Sequence, residues 1–210
     1  MALNTYSALR TSIADWLNRD DLTAVIPDFI ALAEAQIERR IPIQKLVKRA
    51  TATVDTAFFA VPSDFISAKS LILTSTSPAQ PLVFISQDEM DAKKWIYTTT
   101  GKPQYFSAVG GQFEVLPAPD TGYTGELTYV AKLEKLSDSV TSNWLLTQFP
   151  DVYLYGSLLQ AAPYLRDDER IAVWGSLYEK AIEEMIVQDQ RASFSGGRLA
   201  MTVKPTRVIP

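Results

Sequence analysis

Four groups of carboxylates stand close enough along the chain to suggest acid–base work: Asp20-Asp21, Asp88-Glu89 with Asp91, Asp167-Asp168-Glu169, and Glu183-Glu184. A general acid and a general base can cleave a glycosidic bond when their carboxyls face each other across the sugar. Chain proximity does not supply that geometry. The first and third groups fall at breaks between helical segments, where Asp accepts from the free N–H groups of the next helix. Ser86-Gln87-Asp88-Glu89 has the spacing of a capping box. Glu183-Glu184 lie on the polar side of a long amphipathic segment. Structural roles account for all four.

The chain holds no His and no Cys. That excludes a Ser-His-Asp triad, a cysteine nucleophile and zinc sites built on imidazole or thiolate. The glycine pairs are no phosphate cradle. Neither Gly110-Gly111 nor Ser195-Gly196-Gly197 is followed by the Lys-Ser/Thr that reaches a nucleotide's phosphates and Mg²⁺. No cofactor is expected. Tyr97, Tyr105, Phe106, Phe113, Tyr123 and Tyr129 could stack single-stranded bases, but such platforms interleave aromatic and basic residues. Here Lys93, Lys94 and Lys102 cluster instead, so packing of a β-rich region is the simpler reading.

Charge is unevenly spread over the 210 residues. The net charge is −4, yet no Asp or Glu follows Asp189, while Arg191, Arg198, Lys204 and Arg207 do. The first 190 residues therefore carry sixteen basic against twenty-four acidic side chains, a balance of −8. An acidic body with a basic end reads as an interaction tail rather than a nucleic-acid-binding face. The tail is also too apolar for a solvated disordered segment. Phe194 opens it, and Leu199, Met201 and Val203 alternate on one side of an extended strand. We expect an extended arm, added to a sheet edge or laid in a groove, with Arg191, Phe194, Gly196, Gly197, Arg198, Leu199, Met201, Val203, Lys204 and Arg207 as its binding residues.

The elements that must position these residues follow from periodicity. Tyr6, Leu9, Ile13, Trp16 and Leu17 predict a helix over about 5–17, capped by Asn4 or Thr5. A second has Pro27 in its first turn, Phe29, Ile30, Ala33, Ile37 and Ile41 on one face, and Pro42 at its end. Strands are expected at 50–54, 68–74, 82–85, 104–109, 112–116 and 126–133, with Gly110-Gly111 turning a hairpin. The capping box starts one short helix among them. Residues 143–149 are ambiguous. A helix from Pro150 to about Tyr164 and a long one from Asp168 to about Gln190 close the pattern, and Ser193 to Gly197 form a joint. The fold class is α+β: a helical bundle from the N- and C-terminal helices, an inserted β-rich lobe and an extended C-terminal tail. The expected divisions are 1–47, 48–136, 137–191 and 192–210.

No run reaches the roughly 18 apolar residues of a membrane span, and residues 1–10 lack the pattern of a signal peptide. The reading is a soluble protein not exported by the general secretory route, with no membrane partner.

Several stretches, in order, resemble phage head-to-tail adaptor (head completion) proteins, the group of portal-bound accessory factors and tail tubular protein A. They are Asn18-Arg19-Asp20-Asp21-Leu22-Thr23, Val61-Pro62-Ser63-Asp64-Phe65, Gly101-Lys102-Pro103-Gln104-Tyr105, Leu116-Pro117-Ala118-Pro119-Asp120 with Glu126-Leu127-Thr128-Tyr129, Asn143-Trp144-Leu145-Leu146, and Pro150-Asp151-Val152-Tyr153-Leu154-Tyr155-Gly156. The resemblance covers nearly the whole chain. It implies a non-enzymatic virion protein at the neck between capsid portal and tail. Such proteins form a closed ring of about twelve copies, extend the DNA channel, bind the portal through C-terminal arms and offer a surface to the tail or nozzle protein. Genomic DNA would pass through the lumen without specific binding. Two other readings compete: a virion-associated nucleic-acid-binding protein, which the acidic balance opposes, and a cell-wall hydrolase, which lacks a candidate carboxyl pair.

Overall fold

The computed structural model describes residues 3–19, 21–165 and 170–194. Among them are six α-helices and two four-stranded sheets, an α+β fold. The chain divides into two compact units. One comprises the described residues up to Ala33 and from Trp144 onward; the other is Glu34–Asn143.

Helix α1 (Tyr6–Leu17) begins where Thr5, in extended conformation, accepts from the Ala8 N–H at 3.2 Å. Its buried residues, Tyr6, Leu9, Ile13 and Leu17, belong to the stripe that periodicity selects. Trp16, counted in the same stripe, is half-exposed and meets Tyr155 edge to face. Asn18 ends the helix with a φ of 53°, and the Asn18 and Arg19 N–H groups donate to the Asp15 and Ala14 carbonyls. Asn tolerates this left-handed position because its short polar side chain costs little there. Helix α2 (Ile26–Glu38) starts just before Pro27, and Arg39 donates to the Ala35 carbonyl beyond its end, satisfying one of the last free acceptors.

The helical unit is completed by α4 (Trp144–Gln148), α5 (Pro150–Leu165) and α6 (Ile171–Phe194). The ambiguous 143–149 stretch is thus largely helical. Helix α5 is buried on more than one side: Val152, Tyr153, Leu154, Gly156, Ser157, Leu158, Ala161 and Ala162 are all covered. Gly156 allows α6 to come close, since a Cβ there would stand 3.1 Å from the Tyr178 ring. Trp174, Tyr178, Ala181, Ile182 and Met185 form the buried stripe of α6; the spacing selects these together with Ile171, which is only partly buried.

In the β unit a 3-10 turn (Ile43–Leu46) leads into β1 (Val47–Val54). The other strands are β2 (Phe58–Ala60), β3 (Phe65–Leu73), β4 (Gln80–Pro81), β5 (Val83–Phe84), β6 (Tyr105–Val109), β7 (Gln112–Leu116) and β8 (Tyr123–Ala131). One sheet has the order β1-β8-β3-β4 and the other β2-β7-β6-β5. All pairs are antiparallel except β5 with β6. The β6–β7 hairpin turns at Gly110 and Gly111, with φ of 59° and 78° and register Val109↔Gln112. Two features depart from the expected strands. β2 was not anticipated, because Phe58-Phe59-Ala60 shows no alternation. Of the strand expected at 82–85 only Val83–Phe84 is strand, and a second short strand, Gln80–Pro81, precedes it in the other sheet: the Leu82 N–H donates to the Leu71 carbonyl in the first sheet, and the Val83 N–H to the Gln104 carbonyl beside the second. One core fills the space between the inner faces, with Val54, Leu71, Leu73, Phe106, Phe113, Leu127 and Tyr129 among its members.

Candidate functional site

Among the described residues, the carboxylate groups do not converge on a cleft. Asp21 is held in a two-pronged pair by Arg19, Nε to Oδ1 at 2.7 Å and Nη2 to Oδ2 at 2.6 Å. That hydrogen bonding lowers the Asp21 pKa and raises that of Arg19. Asp20 and Asp167-Asp168-Glu169 lie outside the described residues. Glu183 and Glu184 are exposed on α6, with Lys180 4.0 Å from Glu184.

The Asp88 group sits at the start of helix α3 (Gln87–Lys94), where Ser86 Oγ accepts from the Glu89 N–H at 3.3 Å. This is the capping role the spacing predicts. Asp91 and Lys94, 2.8 Å apart, belong to a clamp that reaches the second sheet. Lys94 Nζ lies 2.7 Å from Glu114 Oε1, Gln87 Nε2 donates to Glu114 Oε2 at 3.1 Å, and Ser107 Oγ donates to Gln87 Oε1 at 3.0 Å. Hydrogen bonds to Asp91 and Glu114 raise the Lys94 pKa. One ammonium shared by two carboxylates ties the helix to the sheet. The sequence reading missed Glu114, a buried acid on β7. Its signal was weak: one Glu in an otherwise apolar Gln112–Leu116 run.

The aromatic residues are mostly core. Phe106, Phe113 and Tyr129 are buried, and Phe113 contacts Phe59, Phe65 and Phe106 at ring-centroid distances of 5.4, 5.1 and 6.1 Å. Tyr97 and Tyr105 pair with each other at 5.8 Å, and Lys93 stands 4.7 Å over Tyr105. Tyr123 donates to Asp120. No row of exposed rings alternating with cations emerges among the described residues.

Asp64, on the loop before β3, accepts from Lys48 Nζ and from the Tyr129 hydroxyl, each at 2.9 Å. Burial opposes its ionisation, but the two hydrogen bonds prevail and hold the carboxyl below its ordinary range. Tyr129 is pushed up to about 12, first by burial and then by its bond to Asp64. The triad ties β1, β3 and β8 together.

Of the predicted arm, Arg191 and Phe194 lie on α6, which continues four residues past the expected end through Ser193 to Phe194. Arg191 is exposed. Gly196, Gly197, Arg198, Leu199, Met201, Val203, Lys204 and Arg207 lie outside the described residues. What the sequence reading missed is apolar surface. Trp95 and Ile96, just past α3, are 87% and 75% exposed. Phe58, Val83 and Phe84, on end strands of the second sheet, are also more than half exposed. Large exposed apolar side chains of this kind mark contact surfaces when they occur together.

No helix among the described residues is long and apolar enough to cross a membrane, and no group of acidic residues there could hold a metal ion. The family model described as SU10 adaptor protein matches residues 4–202. No curated protein gives a significant match.

Proposed function

The chain belongs to the SU10 adaptor protein family, and we propose that within the phage particle it binds the portal as an oligomeric ring, extends the DNA channel and offers the surface to which the tail attaches. As a family member it is a structural adaptor of the virion. The observation that carries the reading is the extent of the match: residues 4–202 take in both compact units, so the role belongs to the whole chain and not to one module.

Physical arguments support the finer points. A ring needs a heterologous interface that closes by rotation, and the exposed Trp95, Ile96, Phe58, Val83 and Phe84 are apolar contacts available to other virion proteins. One arm per copy, residues 192–210, makes docking to the portal multivalent, so individually weak contacts hold firmly together. The −8 balance of the first 190 residues suits a conduit. Duplex DNA is repelled by like charge and slides without sticking. The predicted position is the neck of the particle.

Imaging of the purified chain mixed with its portal tests this directly. The expected result is symmetric density beneath the portal, with an acidic lumen. An absence of portal-bound density, with the chain folded, would sink the proposal. A lumen lined by Lys and Arg would remove the conduit argument.

A further inference from the structure

Within the β unit, the stretch Ser86–Thr100 is tied to the second sheet by side chains alone. Among the described residues its backbone hydrogen bonds outside the helix are internal: the Met90 N–H donates to the Ser86 carbonyl, and the Ile96 and Tyr97 N–H groups donate to the Lys93 carbonyl. The backbone rejoins the unit on either side of the stretch, where the Ile85 N–H donates to Phe106 and the Gly101 N–H to Ala118. Helix α3 inside it has eight residues, and a helix so short does not hold its shape alone in water. Gln87, Met90 and Lys94, at spacings of three and four, share the face toward the sheet.

The apolar hold is small. Met90 is the buried side chain of α3, and it clusters with Ile85 and Leu116, apart from the main core of the unit. Ordering a whole helix costs more free energy than burial of one methionine returns. Trp95 and Ile96, at the helix end, add little, being largely exposed. The polar hold converges on one group. Glu114 is buried on β7, with one oxygen 2.7 Å from Lys94 Nζ and the other accepting from Gln87 Nε2 at 3.1 Å. A single carboxylate thus grips the first and the last residue of α3.

We propose that Ser86–Thr100 is a strap latched by Glu114: it leaves the sheet as one unit while the rest of the β unit stays folded, and the Glu114 tie sets how often it does so. The strap turns about Ile85-Ser86 at one end and Thr98-Thr99-Thr100 at the other, where the chain forms neither helix nor strand. Val83, Tyr105 and Leu116 stand side by side across β5, β6 and β7. Release lifts Met90 from Leu116 and Ile85, and so bares an apolar row on a face that the latched strap covers. The device does not depend on the adaptor reading.

The absence of native cysteine makes a clean test possible. Full-length Met90→Cys is treated with a thiol reagent under folding conditions, with Leu127→Cys, in the main core, as the reference. Met90→Cys should be labelled at least about tenfold faster, because local opening needs less free energy than global unfolding. Adding Glu114→Gln should speed that labelling several-fold and leave the Leu127→Cys rate unchanged. Equal labelling at the two positions, or no response to Glu114→Gln, overturns the proposal. Hydrogen exchange on chains that keep Met90 gives a second reading, free of any effect of the cysteine on folding. Amides of Met90, Ile96 and Tyr97 should exchange faster than those of β8, and should accelerate together in Glu114→Gln while β8 does not change. Exchange no faster than that of β8 in the native chain overturns the proposal.

Discussion

Two residues show how burial and hydrogen bonding set local stability. Ser157 is fully buried on α5, and its hydroxyl finds no hydrogen-bond partner among the described residues. A buried hydroxyl without a partner has lost its water and gained nothing in return. Ser157→Ala should therefore stabilise the protein by about 1 kcal/mol, seen as a higher Tm in thermal melting. A lower Tm would show that the hydroxyl has a partner. The Asp64 triad has the opposite character. The folded-state pKa of Asp64 is depressed, so its contribution is present above the ordinary carboxylate range and is lost as pH falls through the folded value. Lys48 is half-exposed, which limits the loss in Asp64→Asn at neutral pH to about 1 kcal/mol. The gap between variant and native stability should narrow as pH drops below about 4. Tyr129 works in the other direction: its raised pKa contributes stability that is present below the ordinary phenol value of 10.0 and lost as pH rises through about 12. Spectrophotometric titration should show a phenol ionising near 12 in the native chain, and ionising earlier in Asp64→Asn. The sequence carried little of this. A serine in a helical run and an aspartate in a Pro-Ser-Asp turn look ordinary until the fold surrounds them.

Elements were legible wherever one period or one turn chemistry dominated. The α1 stripe apart from Trp16, the α6 stripe apart from Ile171, the Ser86 cap and the Gly110-Gly111 hairpin stand where spacing puts them. The hairpin also yields a clean test. Both glycines have positive φ, and a Cβ at either would meet nothing within 4 Å. Any penalty for Gly110→Ala or Gly111→Ala is thus backbone strain alone, about 1 kcal/mol each. Gly110→Asn should lose less, since Asn tolerates this region. Urea unfolding would separate the three, and equal stability for Ala and Asn would contradict the backbone account. Elements were illegible where tertiary context overrode pattern. β2 exists because Phe59 packs on Phe113, its partner on the neighbouring strand β7 and 54 positions away in the chain. The 80–84 stretch splits because Leu82 and Val83 donate to different sheets, and no local period records a strand that changes partners. The long last helix ran past Gln190 because Arg191-Ala192-Ser193 has nothing to stop it, Gly196-Gly197 being the first strong breaker.

At the scale of the whole molecule, composition did more than any motif. The lack of His and Cys removes imidazole and thiol chemistry, and membership of an adaptor family turns attention to contact surfaces. Those surfaces were only half visible in advance. The charge step after Asp189 and the alternating row after Gly197 are written in one dimension. The exposure of Trp95 and Ile96 is not, because an apolar pair following a short helix reads equally well as core. The two surfaces should be separable by experiment. Removal of residues 195–210 keeps every described residue of α6 and of both units. On the adaptor proposal the truncated chain melts near the native temperature but loses portal binding by an order of magnitude or more, because multivalent arms act together. Trp95→Ser with Ile96→Ser should likewise spare stability, changing it by less than about 0.5 kcal/mol as exposed substitutions do. If that pair faces the tail, the variant keeps its portal affinity and fails to recruit the tail protein. Equal loss in both assays would place Trp95 and Ile96 between copies of the ring, since a ring that does not close serves neither partner. Portal binding at full strength by the truncated chain would remove the arm from the docking mechanism and leave the apolar surfaces to carry it.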